Sequence, residues 1–154
     1  MVRWSWALSL LFVLGCSGVS ADSADSDNSG CELARELRAH AGGGATDCGV
    51  SERLEDPSSF DECAVTAFEN GMPFVARYVL QGTDSEVELG VASDDAGSVV
   101  FLLWDSDPSG GSGEGATIYG DVCHGPTVDS SPDTDPVTPP FTCAGMESLG
   151  KVCG

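Results

Sequence analysis

The sequence predicts an α+β fold in which two short helices pack on a three- to four-stranded antiparallel sheet, with disulfides stapling the whole. Three observations carry this expectation. Apolar residues recur at helical spacing between Leu33 and Phe68, and after Pro73 the period falls to two. The chain of 154 residues also holds 7 cysteines, a density that suits a small exported domain held by covalent bridges.

The chain begins with a short apolar run, Ala7 to Leu14, behind the basic residue Arg3. A membrane-spanning helix needs about 20 apolar residues, so this run is too short to span and has the form of an export leader. Its end, Val13-Leu14-Gly15-Cys16-Ser17, resembles the lipobox of bacterial lipoproteins. That resemblance implies cleavage after Gly15, lipid modification of Cys16 and anchoring to a bacterial membrane. Ser17, in place of Asp, implies the outer membrane. A single acyl chain holds a protein only marginally, and several hold it firmly. Residues 17–30 (SGVSADSADSDNSG) contain nothing large enough to bury and read as an acidic Ser/Asp tether. The expected organisation is a leader over 1–15, a lipidated cysteine and tether over 16–30, and one disulfide-rich domain over 31–154.

Assigning Cys16 to lipid leaves an even set: Cys31, Cys48, Cys63, Cys123, Cys143 and Cys153. Six cysteines in an exported domain read as three disulfides, with 15 connectivities open. None stands in a C-x-x-C pair, the spacing that zinc ribbons and thioredoxin-like sites require.

Ser29-Gly-Cys-Glu32 fits a capping box for the first helix, with Ser29 as N-cap. Leu33, Ala34, Leu37 and Ala41 form its apolar face, Arg35 and Arg38 its solvated side, and Gly42-Gly43-Gly44 its stop. His40, in the last turn, suits the helix dipole. A loop carrying Cys48 leads to a second capping box, Ser59-Phe-Asp-Glu62. There Phe60, Cys63, Ala64, Ala67 and Phe68 form an apolar face that turns Cys63 inward, and Asn70-Gly71 closes the helix.

Phe74 to Leu80 and Val87 to Val91 then alternate as strands around a Gly82-Thr-Asp84 hairpin turn. After a turn at Ser93–Gly97, Val99 to Trp104 is continuously apolar, the mark of a strand covered on both faces. Ala116 to Cys123 is the fourth strand. Both helices are expected on one face. The Pro- and Asp-rich tail from His124, tied by Cys143 and Cys153, is expected to cover the other. Without those bridges Val128 to Pro140 would read as a linker.

The formal charge is −19, and removing Arg3 with the leader leaves −20. Twenty-five acidic residues against six basic ones exclude nucleic acid as a partner. The loop from Asp105 to Gly115 places Asp105, Asp107 and Ser109 before Gly110, the first half of a calcium loop. Calcium is therefore the one candidate cofactor. The pattern then breaks, because position 12 is Ala116 and Glu114 comes two residues early. Gly111-Ser-Gly113-Glu-Gly115-Ala116 matches a dinucleotide fingerprint in letters only, since Thr117-Ile-Tyr-Gly after it is extended where a helix is needed.

No G-x-S-x-G elbow is present, and only His40 and His124 could act as imidazole bases. The helix-on-sheet architecture resembles cystatin-like folds, some of which inhibit proteases, but their Q-x-V-x-G hairpin is replaced by Gln81-Gly-Thr-Asp-Ser. The expectation is a membrane-anchored envelope lipoprotein acting as a non-enzymatic binding or accessory module toward an envelope protein partner. Calcium-assisted binding through residues 105–115 is the alternative.

Overall fold

In a computed structural model of the protein, residues 31–52, 58–111, 115–129 and 138–154 are described. The chain is α+β: helices α1 (Leu33–Ala41) and α2 (Ser58–Glu69) with strands β1 (Thr46–Ser51), β2 (Phe74–Leu80), β3 (Val87–Ser93), β4 (Val99–Asp105), β5 (Thr117–Val128) and β6 (Phe141–Cys153). The six strands form one mixed sheet in the order β1 to β6. β1 and β2 run parallel, and every later neighbour is antiparallel. The sheet is thus larger than expected, and one of its pairings is parallel.

The two additional strands explain the difference. β1 occupies the segment expected to be the loop around Cys48, where Asp47 and Gly49 conceal the pattern. It pairs with β2 through the crossover helix α2, since a parallel pair cannot be joined by a tight turn. Its register slips between Asp47 and Val50. The tail expected to cap the sheet instead extends β5 to Val128 and returns as β6. Its start covers part of the α2 face: the Phe141 ring centroid lies 5.5 Å from that of Phe74 and 5.4 Å from that of Phe68. Residues 130–137, most of the expected linker, lie outside the described residues.

The helices lie on opposite faces, not on one. On the α1 side, Leu33, Leu37 and Ala41 pack with Val75, Ala92, Val100, Leu102 and Ile118. On the α2 side, Ala64 and Ala67 pack with Phe74, Ala76, Tyr78, Val91 and Val99. Successive strand residues point to opposite faces, so Phe74 and Val75, or Val99 and Val100, belong to different cores. This two-sided burial is what the continuous Val99–Trp104 run predicts. Gly90 lets α1 approach closely: a Cβ there would stand 2.6 Å from Leu37 Cδ1.

The helix ends also differ from expectation. Glu32 is the N-cap of α1 and makes no side-chain capping bond; Ser29 lies outside the described residues. Ser58 is already helical, so Ser59 does not cap α2. The C-terminus of α2 follows the sequence: Met72 N–H bonds to the Ala67 carbonyl (2.9 Å) and Gly71 N–H to that of Phe68 (3.0 Å), with Gly71 at φ +64°. This paired 6→1 and 5→2 closure needs a left-handed residue, which glycine adopts without strain.

Candidate functional site

The six cysteines of the domain pair as Cys31–Cys153, Cys48–Cys63 and Cys123–Cys143, with Cα separations of 5.5, 5.8 and 5.4 Å, inside the range a disulfide accepts. Each bridge has a distinct place. Cys48–Cys63 ties the irregular strand β1 to the helix that crosses over it. Cys123–Cys143 joins β5 to β6. Cys31–Cys153 joins a residue two positions before α1 to the end of the last strand, 122 residues away. Cys16 lies outside the described residues.

The 105–115 loop follows β4. Its carboxylates are turned onto its own backbone: Asp107 N–H donates to Asp105 Oδ1 (3.0 Å), and Gly111 N–H donates to Asp107 Oδ2. Ser109 Oγ donates to Asp107 Oδ1 at 3.1 Å. Two of the three predicted ligands, Asp107 and Ser109, are therefore side by side, while Asp105 holds the loop's first turn. Glu114 lies outside the described residues. Among the described residues no group of three or more His, Cys, Asp or Glu side chains converges as a metal site.

The two histidines have separate partners. His40 Nε2 lies 3.2 Å from the Ser98 carbonyl, so it braces the entry to β4 rather than only closing its own helix. His124 Nε2 lies 3.0 Å from Glu147 Oε2 across the exposed β5–β6 pair. Asp94 shapes the β3–β4 turn by accepting from the amides of Ala96 and Ser98 at 3.0 and 2.8 Å.

Two carboxylates tie helices to the sheet. Arg38 donates to Asp47 at 2.8 Å, and this bond, helped by the Gly49 amide, holds the Asp47 carboxyl below the usual carboxylate range. Tyr78 donates to Asp61 at 2.9 Å. Burial, reinforced by the Asp61 charge and that hydrogen bond, pushes the Tyr78 hydroxyl well above its ordinary value. Asp61 on α2 is thereby locked to the centre of β2.

Sequence reasoning missed a cleft of about 330 Å³ beside the start of α1, lined by Cys31, Glu32, Leu33, Ala34, Arg77, Glu88 and Trp104. Arg77 and Glu88 stand 3.7 Å apart there, next to the indole. Their alternation with Tyr78 and Leu89 marks them as facing away from α2, but only the placement of α1 makes that face a cleft. No helix among the described residues is long and apolar enough to cross a membrane.

Compared with protein-family models, with curated proteins and with solved structures, the chain matches none of them.

Proposed function

We propose that this chain is a lipid-anchored lipoprotein of the bacterial envelope, held through Cys16 at the outer membrane. There it displays its acidic, disulfide-stapled domain as a non-enzymatic binding or accessory module for an envelope protein. One observation carries the reading. The six cysteines after Cys16 close among themselves into three bridges, so Cys16, at the end of Val13-Leu14-Gly15, is left over for a different chemistry. The acidic stretch 17–30 then serves as a spacer, and the excess of acidic over basic residues, 25 against 6 in the chain, keeps the protein soluble and apart from anionic headgroups.

Substituting Cys16→Ser in the full chain tests this directly. The variant loses metabolic labelling with radiolabelled palmitate and moves from the membrane pellet to the soluble fraction. Unchanged membrane retention would refute the anchor.

Calcium-assisted binding through the 105–115 loop is the second reading. It draws on Ser109 Oγ standing 3.1 Å from Asp107 Oδ1, with Asp105 two residues before.

A further inference from the structure

Six large apolar side chains are exposed among the described residues, and five of them gather at one margin of the sheet. They are Leu103 on β4, Tyr119 on β5, and Met146, Leu149 and Val152 on β6. Met146 is 54% exposed and Leu149 50%, whereas Leu33, Leu37 and Leu102 are buried. Tyr119 stands opposite Leu103, and Met146 opposite Cys123, so Leu103, Tyr119 and Met146 share the α2 side of the sheet. Leu149 and Val152 lean over Gly120 on the α1 side, where a Cβ would meet them at 3.3 and 2.9 Å.

The margin ends in an open strand edge. β6 is the last strand of the sheet, and such an edge presents unpaired N–H and C=O groups to any extended chain. The opposite edge is closed to this use: β1 is irregular, its Asp47 is bound by Arg38, and its Cys48 is bridged to α2. On β6 the pairing with β5 keeps one register from Phe141 to Ser148, interrupted at Ala144 opposite Gly125, whose φ is +59°. It then slips twice, leaving Leu149 and Val152 without cross-strand partners. Bulges of this kind turn an edge away from further pairing, so the usable stretch is Phe141–Ser148.

Charge selects the occupant. A second copy of the chain would bring the same −19, and Asp121, Asp129 and Glu147 stand on or beside this stretch, Glu147 with His124 Nε2 at 3.0 Å. We infer that Phe141–Ser148 is a docking edge that takes an extended, lysine- or arginine-rich segment of a partner protein as a seventh strand, with the partner's apolar side chains resting on Met146. Backbone pairing supplies affinity in this mode, and the flanking side chains supply selectivity. The inference rests on the reading of the domain as a binding module and names its binding surface.

The test uses the full chain with native disulfides and a synthetic ten-residue peptide of alternating lysine and valine. Amide hydrogen exchange is followed residue by residue. Exchange across Thr142–Glu147 slows by about tenfold or more when the peptide is added. The same peptide with alternate amides N-methylated, which cannot pair as a strand, leaves it unchanged. The double variant Ala144→Lys, Met146→Lys, at exposed positions, loses the effect while keeping its melting temperature. Equal protection by the N-methylated peptide, or no protection, overturns the edge. Protection confined to other residues also overturns the edge but leaves the binding-module reading standing. Concentration-dependent protection of these amides without peptide, with a dimer seen by light scattering, assigns the edge to a second copy and overturns the basic partner.

Discussion

Adding one methyl group to Gly90 tests the account of how α1 is seated. The backbone at Gly90 is not left-handed, so alanine fits its conformation and brings a modest gain, about 0.5–1 kcal/mol, by restricting the unfolded chain. Against this, the new Cβ would lie 2.6, 2.8 and 3.0 Å from Leu37 Cδ1, Cδ2 and Cγ. Carbon atoms settle at roughly 3.5–4.0 Å, so the contact is about 1 Å too close. Leu37 has no exposure and is packed among Val75, Ala92, Val100 and Leu102, so it cannot swing clear and the helix itself must lift. Overpacking of this kind costs about 1–3 kcal/mol, which outweighs the entropic gain. Gly90→Ala is therefore expected to destabilise the disulfide-intact domain by about 1–2 kcal/mol in urea unfolding, with an unchanged denaturant slope. Leu37→Ala alone should cost about 2–5 kcal/mol. In the double variant the added methyl partly fills the hole, so the two effects should fall short of their sum by about 1 kcal/mol. A neutral or stabilising Gly90→Ala, or additivity within about 0.5 kcal/mol, would show that α1 does not sit on β3 as described.

Two other perturbations probe separate parts of the molecule. Tyr78→Phe removes the bond to Asp61 and should cost about 1.5 kcal/mol. Because the folded pKa of Tyr78 is raised while an unfolded tyrosine ionises near pH ~10, the stability it confers is complete below that pH and is lost as pH rises beyond it, at about 1.4 kcal/mol per unit. Stability curves at alkaline pH should thus be flatter for Tyr78→Phe, and parallel curves would contradict the assignment. For the 105–115 loop, the amides that already hold the Asp105 and Asp107 carboxylates compete with a cation, so no rise in melting temperature is expected at about 1 mM calcium. A site with a dissociation constant near 10 μM would instead gain about 2.7 kcal/mol there, and a gain of that size abolished by Asp107→Asn would assign the loop to calcium.

Much of the fold was legible where local pattern and tertiary role agree. β2 and β3 follow their alternation, β4 its continuous run, and the end of α2 its Asn70-Gly71 signal. The misses share a cause. β1 (Thr46-Asp-Cys-Gly-Val-Ser) and β6, with Gly145 and Gly150, have no strand pattern of their own and form because a neighbour offers an edge to pair with and a disulfide holds them there. Placing both helices on one face leaves Gly90, the alternate of Leu89 and Val91, facing solvent. Small residues on that face are instead what α1 needs in order to come close. The histidine, carboxylate and cleft geometry was hidden for a related reason. His40–Ser98, Asp61–Tyr78 and Arg77–Glu88 join elements whose proximity is decided by the crossover, which composition and spacing do not encode. The exposed margin of β6 was invisible because Met146, Leu149 and Val152 match neither a helical nor an alternating template.

The bridge between Cys31 and Cys153 also sets how the domain bears load. Anything that holds the chain upstream of α1 pulls at Cys31, and a partner seated on β6 pulls a few residues from Cys153. Tension between the two then runs from β6 through the disulfide and out along the upstream chain. α1, both cores and strands β1 to β5 lie on a side branch of that path. The domain can be tugged from its docking edge while its folded body stays slack.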